Sequence, residues 1–274
     1  MPVSQVSIPS CSSLYYYDSD ETNKVPLVIL GANPSDLRDY DPIRPELEKK
    51  YRFIALCWPG FGGSTVDGVD FSGGAIFCHQ VTLEFMQALQ LPPSYFIGVA
   101  VGAYCAARVA IEHPDKVLKL ILVSPTGFTP GGLLARHYAP LMSGRFAPTP
   151  LTSAKSYLGH KEKPLIQAML ERAATIQNTP SAVAVIRAVW KSLALAECDL
   201  SDRVSAIRAP TLLVFGSKDP IISPAKDGKV AKKAFGDGAD FVVLEARHLP
   251  FAEIPEEFLK AILPFLGADD EDLL

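Results

Sequence analysis

The sequence predicts an α/β fold with a mostly parallel central sheet flanked by helices, and three observations support this fold class. Short runs of β-branched and apolar residues alternate with segments of helical spacing, the order expected when helices connect parallel strands. The strand-like runs are almost continuously apolar, as in strands covered by helices on both faces. The alternation stops once, between residues 126 and 200, where only helical stretches bounded by prolines occur.

Each predicted element follows from this pattern. Strands are predicted at residues 25–30, 53–57, 95–99, 117–123, 211–215 and 241–244. Helices are predicted between or after them at residues 75–89, 103–112, 225–235 and 255–265. We therefore assign residues 1–126 and 201–274 to one α/β core domain, and residues 127–200 to an inserted all-helical cap, or lid.

A helical insertion between two parallel strands is most simply a cap over the carboxyl edge of the sheet, where such folds bind ligands. The candidate inner residues of the cap are apolar: Phe128, Leu134, Tyr138, Met142, Phe146, Met169, Val189 and Trp190. Packing within the cap accounts for most of them. The residues that we expect to line a partly apolar substrate pocket are Phe128, Tyr138, Met142 and Trp190 from the cap, with Ser124 and Leu249 from the core.

Charge and composition exclude several classes of partner. The net charge of −4 is matched by four acidic residues in a row, 269–272, so the remaining chain is neutral and lacks the basic excess of a nucleic-acid binder. Residues 1–20 contain no Lys or Arg and no long apolar run, and no stretch is apolar enough to span a membrane. We expect a cytoplasmic protein that acts on a small molecule; the sequence does not specify its oligomeric state.

The sequence predicts neither a disulfide framework nor a bound metal or cofactor. Its five cysteines are odd in number, widely spaced and free of CxxC pairs, so we expect buried free thiols. The glycine-rich turn at residues 60–63 lacks both the P-loop pattern and the dinucleotide-binding spacing.

A strand runs directly into a helix through Gly98-Val99-Ala100-Val101-Gly102. This segment has both glycines of the nucleophile elbow G-x-S-x-G, in which a strained turn points the middle side chain out of the sheet. The middle residue here is Ala100. A methyl group cannot attack a carbonyl carbon, so the step for which such a turn is built cannot occur at this position.

Three further segments accompany the elbow and the helix and strand after it. Residues 58–64 read Trp-Pro-Gly-Phe-Gly-Gly-Ser, residues 210–219 end on Asp219, and residues 246–258 begin Ala-Arg-His-Leu-Pro. In this order and spacing, from about residue 25 to residue 265, the chain resembles the α/β-hydrolase superfamily. The resemblance implies an α/β-hydrolase fold with a helical cap, and the activity of a serine hydrolase.

The resemblance also assigns the site. It implies that Ala100 occupies the nucleophile position, with Asp219 as the acid and His248 as the base of a triad. A carboxylate on one ring nitrogen of a histidine fixes its tautomer while the other nitrogen handles protons. By position, the backbone N–H groups of Ala32 and Val101 would form the oxyanion hole.

Two supporting positions depart from the family pattern. Leu30 stands where His-Gly is usual ahead of Gly31, and Cys57 stands where an Asp commonly precedes the turn at residues 58–64. Both departures concern loop conformation more than chemistry.

Three hypotheses for Ala100 remain open. In the first, the natural enzyme is a serine hydrolase of an ester, lactone, thioester or activated C–C bond, and this chain is an inactivated Ser→Ala form. In the second, Ala100 is natural and the His248/Asp219 dyad acts alone as a general base, resembling some cofactor-free dioxygenases and lyases. In the third, the chain is a pseudoenzyme that binds an apolar small molecule. Retention of both elbow glycines, Asp219 and His248 favours the first.

Overall fold

The fold is built on a single eight-stranded sheet. The computed structural model describes residues 3–66, 68–129 and 137–267. Its strands are β1 (Ser4–Ile8), β2 (Cys11–Asp18), β3 (Pro26–Leu30), β4 (Arg52–Leu56), β5 (Ser94–Val99), β6 (Val117–Val123), β7 (Thr211–Gly216) and β8 (Ala239–Leu244). They lie in the order β1-β2-β4-β3-β5-β6-β7-β8, and every pairing from β4 to β8 is parallel.

The six predicted strands are confirmed, with ends that differ by at most two residues. β1 and β2 were not predicted. They add an antiparallel edge to the sheet, since β1 pairs with β2 and β2 pairs with β4. The sequence of β2, Cys-Ser-Ser-Leu-Tyr-Tyr-Tyr-Asp, mixes polar and apolar residues without strict alternation, and so it lacks the pattern of a covered strand.

Helices cover both faces of the sheet. They are α1 (Arg44–Glu48), α2 (Ala75–Ala88), α3 (Val101–Glu112), α4 (Ala139–Ser143), α5 (Pro150–Tyr157), α6 (Pro164–Ile176), α7 (Pro180–Ser192), α8 (Lys229–Phe235), α9 (Pro250–Glu253) and α10 (Pro255–Gly267). Along β6, Leu120 and Leu122 join the core beneath α2 and α3, whereas Ile121 and Val123 join the core beneath α10. Burial on both faces explains the continuous apolar runs of the central strands.

The segment predicted as a cap contains four of these helices, α4 to α7, and no strand within the described residues 127–129 and 137–200. Phe146, expected to face inward, is instead 84% exposed. The predicted inner residue Leu134 and the acidic run at residues 269–272 lie outside the described residues. The five cysteines are buried and free of disulfides.

Candidate active site

The elbow between β5 and α3 has an unusual backbone. Ala100 has φ 51° and ψ −111°, a conformation that residues with a Cβ rarely adopt. It is held by its surroundings: its N–H donates to Val123 O at 3.0 Å, and its carbonyl accepts the Thr126 hydroxyl at 3.2 Å. Such strained positions persist only where the structure around them fixes them, and they concentrate at functional sites.

Both glycines of the elbow are required by close contacts. A Cβ on Gly98 would lie 2.5 Å from Ala103 Cα, at the start of α3. A Cβ on Gly102 would lie 2.0 Å from the carbonyl oxygen of Leu30, at the end of β3. The glycines therefore let the first turn of α3 pack directly against the ends of β5 and β3.

The carboxyl ends of β7 and β8 bring Asp219 and His248 together. Asp219 follows β7, and its Oδ2 lies 2.7 Å from Nδ1 of His248. The other carboxylate oxygen, Oδ1, accepts the N–H groups of Ile221 at 2.8 Å and Ile222 at 3.0 Å. Both side chains are buried.

The environment of Asp219 favours its ionised form. Burial alone would raise the pKa of this carboxyl. The electrostatic interaction and hydrogen bond with His248, together with the amides of Ile222 and Ile221, outweigh burial and lower the pKa below the ordinary value. An ionised Asp219 accepts a proton-bearing Nδ1, which leaves Nε2 of His248 available for proton transfer.

A cavity of about 330 Å³ lies between the sheet edge and the helices α4, α5 and α7. Ala100 and His248 both line it, and so do Ala32 and Val101. The backbone N–H groups of Ala32 and Val101 donate no hydrogen bond to another group in the part of the chain that the structure describes. The cavity thus brings together the elbow centre, a carboxylate-bound histidine and two amide positions.

The loop that carries Ala32 is held in place by a hydrogen bond from a buried tryptophan. Trp58 is fully buried, and its indole N–H donates to the carbonyl of Gly31 at 2.9 Å. The turn after Trp58 is closed by Ser64, whose hydroxyl donates to Cys57 O at 2.9 Å and accepts the N–H of Tyr15 at 2.9 Å. This support does not use the histidine and aspartate that are usual at positions 30 and 57.

The six residues predicted for the pocket separate into two groups. Tyr138, Met142 and Trp190 line the cavity. Ser124, Phe128 and Leu249 do not, which corrects the prediction from the sequence.

Each of these three is held elsewhere. Ser124 is fully buried at the end of β6, and its hydroxyl donates to His248 O at 3.4 Å. Phe128 packs against Phe235, with ring centroids 5.2 Å apart. Leu249 is buried in the core beneath α10.

Sequence reasoning missed several lining residues. Thr126 follows β6, Tyr157 ends α5, and Arg187 projects from α7. Among the lining residues that the structure describes, Arg187 is the only Asp, Glu, Lys or Arg, and it is exposed. No ion pair joins it to another described residue. Sequence patterns do not give the rotation of a cap helix about its axis, which decides whether such a residue faces the cavity.

A second cavity of about 360 Å³ lies beside the first, and Pro34 and Tyr157 line both. An ion pair crosses its wall from core to cap: Asp39, which is 5% exposed, accepts from Arg172 of α6. Burial raises the pKa of Asp39 to about 6, against the opposing charge of Arg172 and a hydrogen bond from the Asp36 amide.

Two kinds of site are absent from the residues that the structure describes. No group of three or more His, Cys, Asp or Glu side chains there is arranged to hold a metal ion. No helix in the same ranges combines the length and apolarity that a bilayer crossing needs.

The chain belongs to the alpha/beta hydrolase fold family, whose model matches residues 25–255. It is 26% identical to the 2-hydroxy-6-oxo-6-phenylhexa-2,4-dienoate hydrolase of Comamonas testosteroni, over 92% of this chain and 91% of that protein. It is also 26% identical to the pimeloyl-[acyl-carrier protein] methyl ester esterase of Aeromonas hydrophila, over 82% of this chain and 89% of that protein.

A solved structure shares the fold. The enol-lactonase of Burkholderia xenovorans LB400 superposes with a TM-score of 0.80, at 18% identity, over 96% of this chain and 99% of that one. The names of these three proteins describe a dienoate hydrolase, a methyl ester esterase and an enol-lactonase.

Proposed function

We propose that the cavity is the substrate site of a hydrolase for an ester, lactone or related acyl or C–C bond, with position 100 as its nucleophile position. The observation that carries this proposal is the backbone of Ala100, which keeps the strained elbow conformation beside His248 without a nucleophilic side chain. On this proposal, the chain as written binds substrate but lacks the group that attacks it.

The role of each residue follows from the chemistry of acyl transfer. A serine at position 100 would attack the carbonyl carbon of the substrate while His248 takes the hydroxyl proton on Nε2. The amides of Ala32 and Val101 would stabilise the resulting oxyanion. His248 would then give the proton to the leaving group, and water would release the acyl group by the same route. Ala100 removes the first step and leaves the remaining apparatus in place.

The test is Ala100→Ser. The variant is expected to hydrolyse p-nitrophenyl butyrate and to be labelled by a serine-directed fluorophosphonate, whereas the parent chain is expected to do neither. The double variant Ala100→Ser/His248→Ala should lose both reactions. Ala103→Ser, three residues along α3, is the matched control and should stay unlabelled. A folded Ala100→Ser chain that is inert to both reagents contradicts the proposal.

The lining indicates the substrate. It is mostly apolar, with Met142 and Trp190 among its walls, and within the described residues Arg187 is its one Lys, Arg, Asp or Glu side chain. We therefore propose a small substrate with an apolar body, whose carboxylate would be bound at Arg187.

A second candidate function is favoured by the 2.7 Å contact between Asp219 and His248, which is complete without a serine. In this alternative the dyad acts as a general base on an aromatic or hydroxylated substrate, with Ala100 as the natural residue. It requires turnover by the parent chain that His248→Ala abolishes. Phenylbutyrate, which combines an apolar ring with a carboxylate, serves as a probe of binding. If His248→Ala leaves its binding unchanged, and neither the parent chain nor Ala100→Ser gives a product, the chain is instead a binding protein.

A further inference from the structure

Glu253 is the last residue of α9 and is fully buried. Its carboxylate spans the backbone on either side of His248: Oε2 accepts the N–H of Arg247 at 3.0 Å, and Oε1 accepts the N–H of Leu249 at 3.2 Å. The two oxygens of one side chain thus hold the residues before and after the histidine.

The backbone of His248 itself is held by two other elements. Its N–H donates to the carbonyl of Tyr157, at the end of cap helix α5, at 3.3 Å. Its carbonyl accepts the hydroxyl of Ser124 at 3.4 Å. Three successive amides, from 247 to 249, therefore all have acceptors, and Glu253 supplies two of them.

Among the described residues, no Lys, Arg or His side chain forms an ion pair with the carboxylate of Glu253. Lys163 of the cap donates at 2.6 Å to the backbone carbonyl of Glu253, not to its side chain. Burial raises the pKa of Glu253, while the amides of Arg247, Leu249 and Gly159 and an electrostatic contribution from His160 oppose that rise. A buried carboxylate is unfavourable unless its hydrogen bonds are satisfied, so its place here depends on these amides.

The loop around His248, residues 247–249, is closely packed, which leaves its backbone little room for another conformation. A Cβ on Gly216, at the end of β7, would lie 1.7 Å from the carbonyl oxygen of Arg247. A Cβ on Gly159 would lie 2.3 Å from Oε2 of Glu253. The histidine loop is thus in direct contact with the sheet, and the Glu253 carboxylate that holds the loop is in direct contact with the cap.

We propose that Glu253 is a positioning residue for His248: its carboxylate fixes the backbone on both sides of the histidine, so that the imidazole stays bound to Asp219. This inference rests on the proposed role of His248 as the base. Glu253 does not line the cavity, and it acts through the main chain. Small errors in the position of a base reduce the rate of a reaction more than they reduce substrate binding.

The experiment uses Glu253→Gln, which keeps the side-chain shape but replaces one acceptor oxygen with a donor. Glu84→Gln is the matched control, because Glu84 also accepts a backbone amide, that of Ser10 at 2.8 Å, in a loop outside the site. In the Ala100→Ser background, Glu253→Gln is expected to lower kcat by roughly tenfold or more while KM changes by less than about twofold. Glu84→Gln should change neither constant.

A second readout does not depend on activity. In the parent chain, the Nδ1 proton of His248 should give a far-downfield NMR resonance because it is bound to a buried carboxylate. Glu253→Gln should broaden or remove that resonance, whereas Glu84→Gln should leave it intact. This measurement still decides the inference if Ala100→Ser turns out to be inert and the proposed function fails.

The opposite results overturn the inference. If Glu253→Gln lowers the melting temperature but leaves both kcat and the Nδ1 resonance unchanged, Glu253 is a structural residue only. Glu253→Ala is a more severe variant, and if it does not fold, the Gln variant alone decides.

Discussion

Nδ1 of His248 lies 2.7 Å from Oδ2 of Asp219, although the two residues are 29 positions apart in the chain. The contact exists because β7 and β8 are parallel neighbours, so the loops after them emerge at the same edge of the sheet. It joins a carboxylate that two amides already hold to a histidine that lines the cavity.

His248→Ala should raise the pKa of Asp219. The pKa of Asp219 lies below 3.8 in the parent chain, because the histidine and the amides outweigh burial. Its contribution to stability is present above the unfolded pKa and is lost as the pH falls through the lower folded value. Without the histidine, burial remains, and the carboxyl should titrate at higher pH. Carbon-13 NMR of the Asp219 carboxyl measures this change. His113→Ala is the control, and an Asp219 pKa that is equal in both variants contradicts the prediction.

Gly102→Ala should destabilise the fold by about 1–3 kcal/mol or more, because the added Cβ would lie 2.0 Å from Leu30 O. The loop after Leu30 carries Ala32, so the same change should also lower any activity that Ala100→Ser restores. Urea unfolding gives the free energy of unfolding. Gly238→Ala is the control, since a Cβ there has no atom within 4 Å. Equal stability of the two variants would show that the close approach at Gly102 is dispensable.

Ligand binding should change the fluorescence of one tryptophan. Trp58 and Trp190 are the only tryptophans of the chain, and only Trp190 lines the cavity. Phenylbutyrate, which combines an apolar ring with a carboxylate, should alter the emission of the parent chain as it covers the indole. Trp190→Phe should abolish the change while calorimetry still detects binding. A response that persists in Trp190→Phe would mean that the ligand binds elsewhere.

Arg187→Ala should weaken the binding of phenylbutyrate but leave the binding of methyl phenylbutyrate unchanged. The side chain is exposed, so the expected loss is up to about 1 kcal/mol, or about fivefold in Kd. Lys191→Ala, one turn further along α7, removes the same charge outside the cavity lining and is the control. Equal losses for acid and ester, or in both variants, would exclude a specific contact at Arg187.

Asp39→Asn should have an effect on stability that depends on pH. The folded pKa of Asp39, about 6, lies above its ordinary value of 3.8. Its favourable contribution is therefore complete below the unfolded pKa and is lost as the pH rises through about 6. Relative to Asp39→Asn, the parent should lose up to about 3 kcal/mol across that interval.

Urea unfolding about two pH units below and about two above the Asp39 pKa measures this difference. Asp41→Asn removes a more exposed carboxylate and is the control. A stability difference between parent and Asp39→Asn that is constant with pH would show that burial of Asp39 has no net cost.

The central strands and the elbow could be predicted because their signals are local. A strand covered on both faces is apolar throughout, and the glycines at 98 and 102 are required by contacts that no larger residue allows. The edge strands β1 and β2 were missed because polar residues interrupt their apolar positions, so their pairing partners, more than their own pattern, determine them.

The cap and the support of the histidine could not be predicted in the same way. Phe146 and Phe128 are equally apolar, yet one is 84% exposed and the other 1%, because tertiary packing sets which face of each segment turns inward. The partners of the 247–249 amides are a side chain five residues beyond His248 and a carbonyl of the cap. Nothing in the residue types alone indicates that Glu253 faces the main chain and not solvent.

Alanine and serine differ by a single oxygen atom. The backbone of Ala100 already has φ 51°, and Gly98 and Gly102 already allow the close packing of the elbow. That atom could therefore be added or removed without any rearrangement of the main chain. On the proposed function, acyl chemistry in this scaffold is one codon away in either direction. Two chains that differ only there would be nearly indistinguishable in shape, stability and ligand affinity, and reactivity alone would separate them.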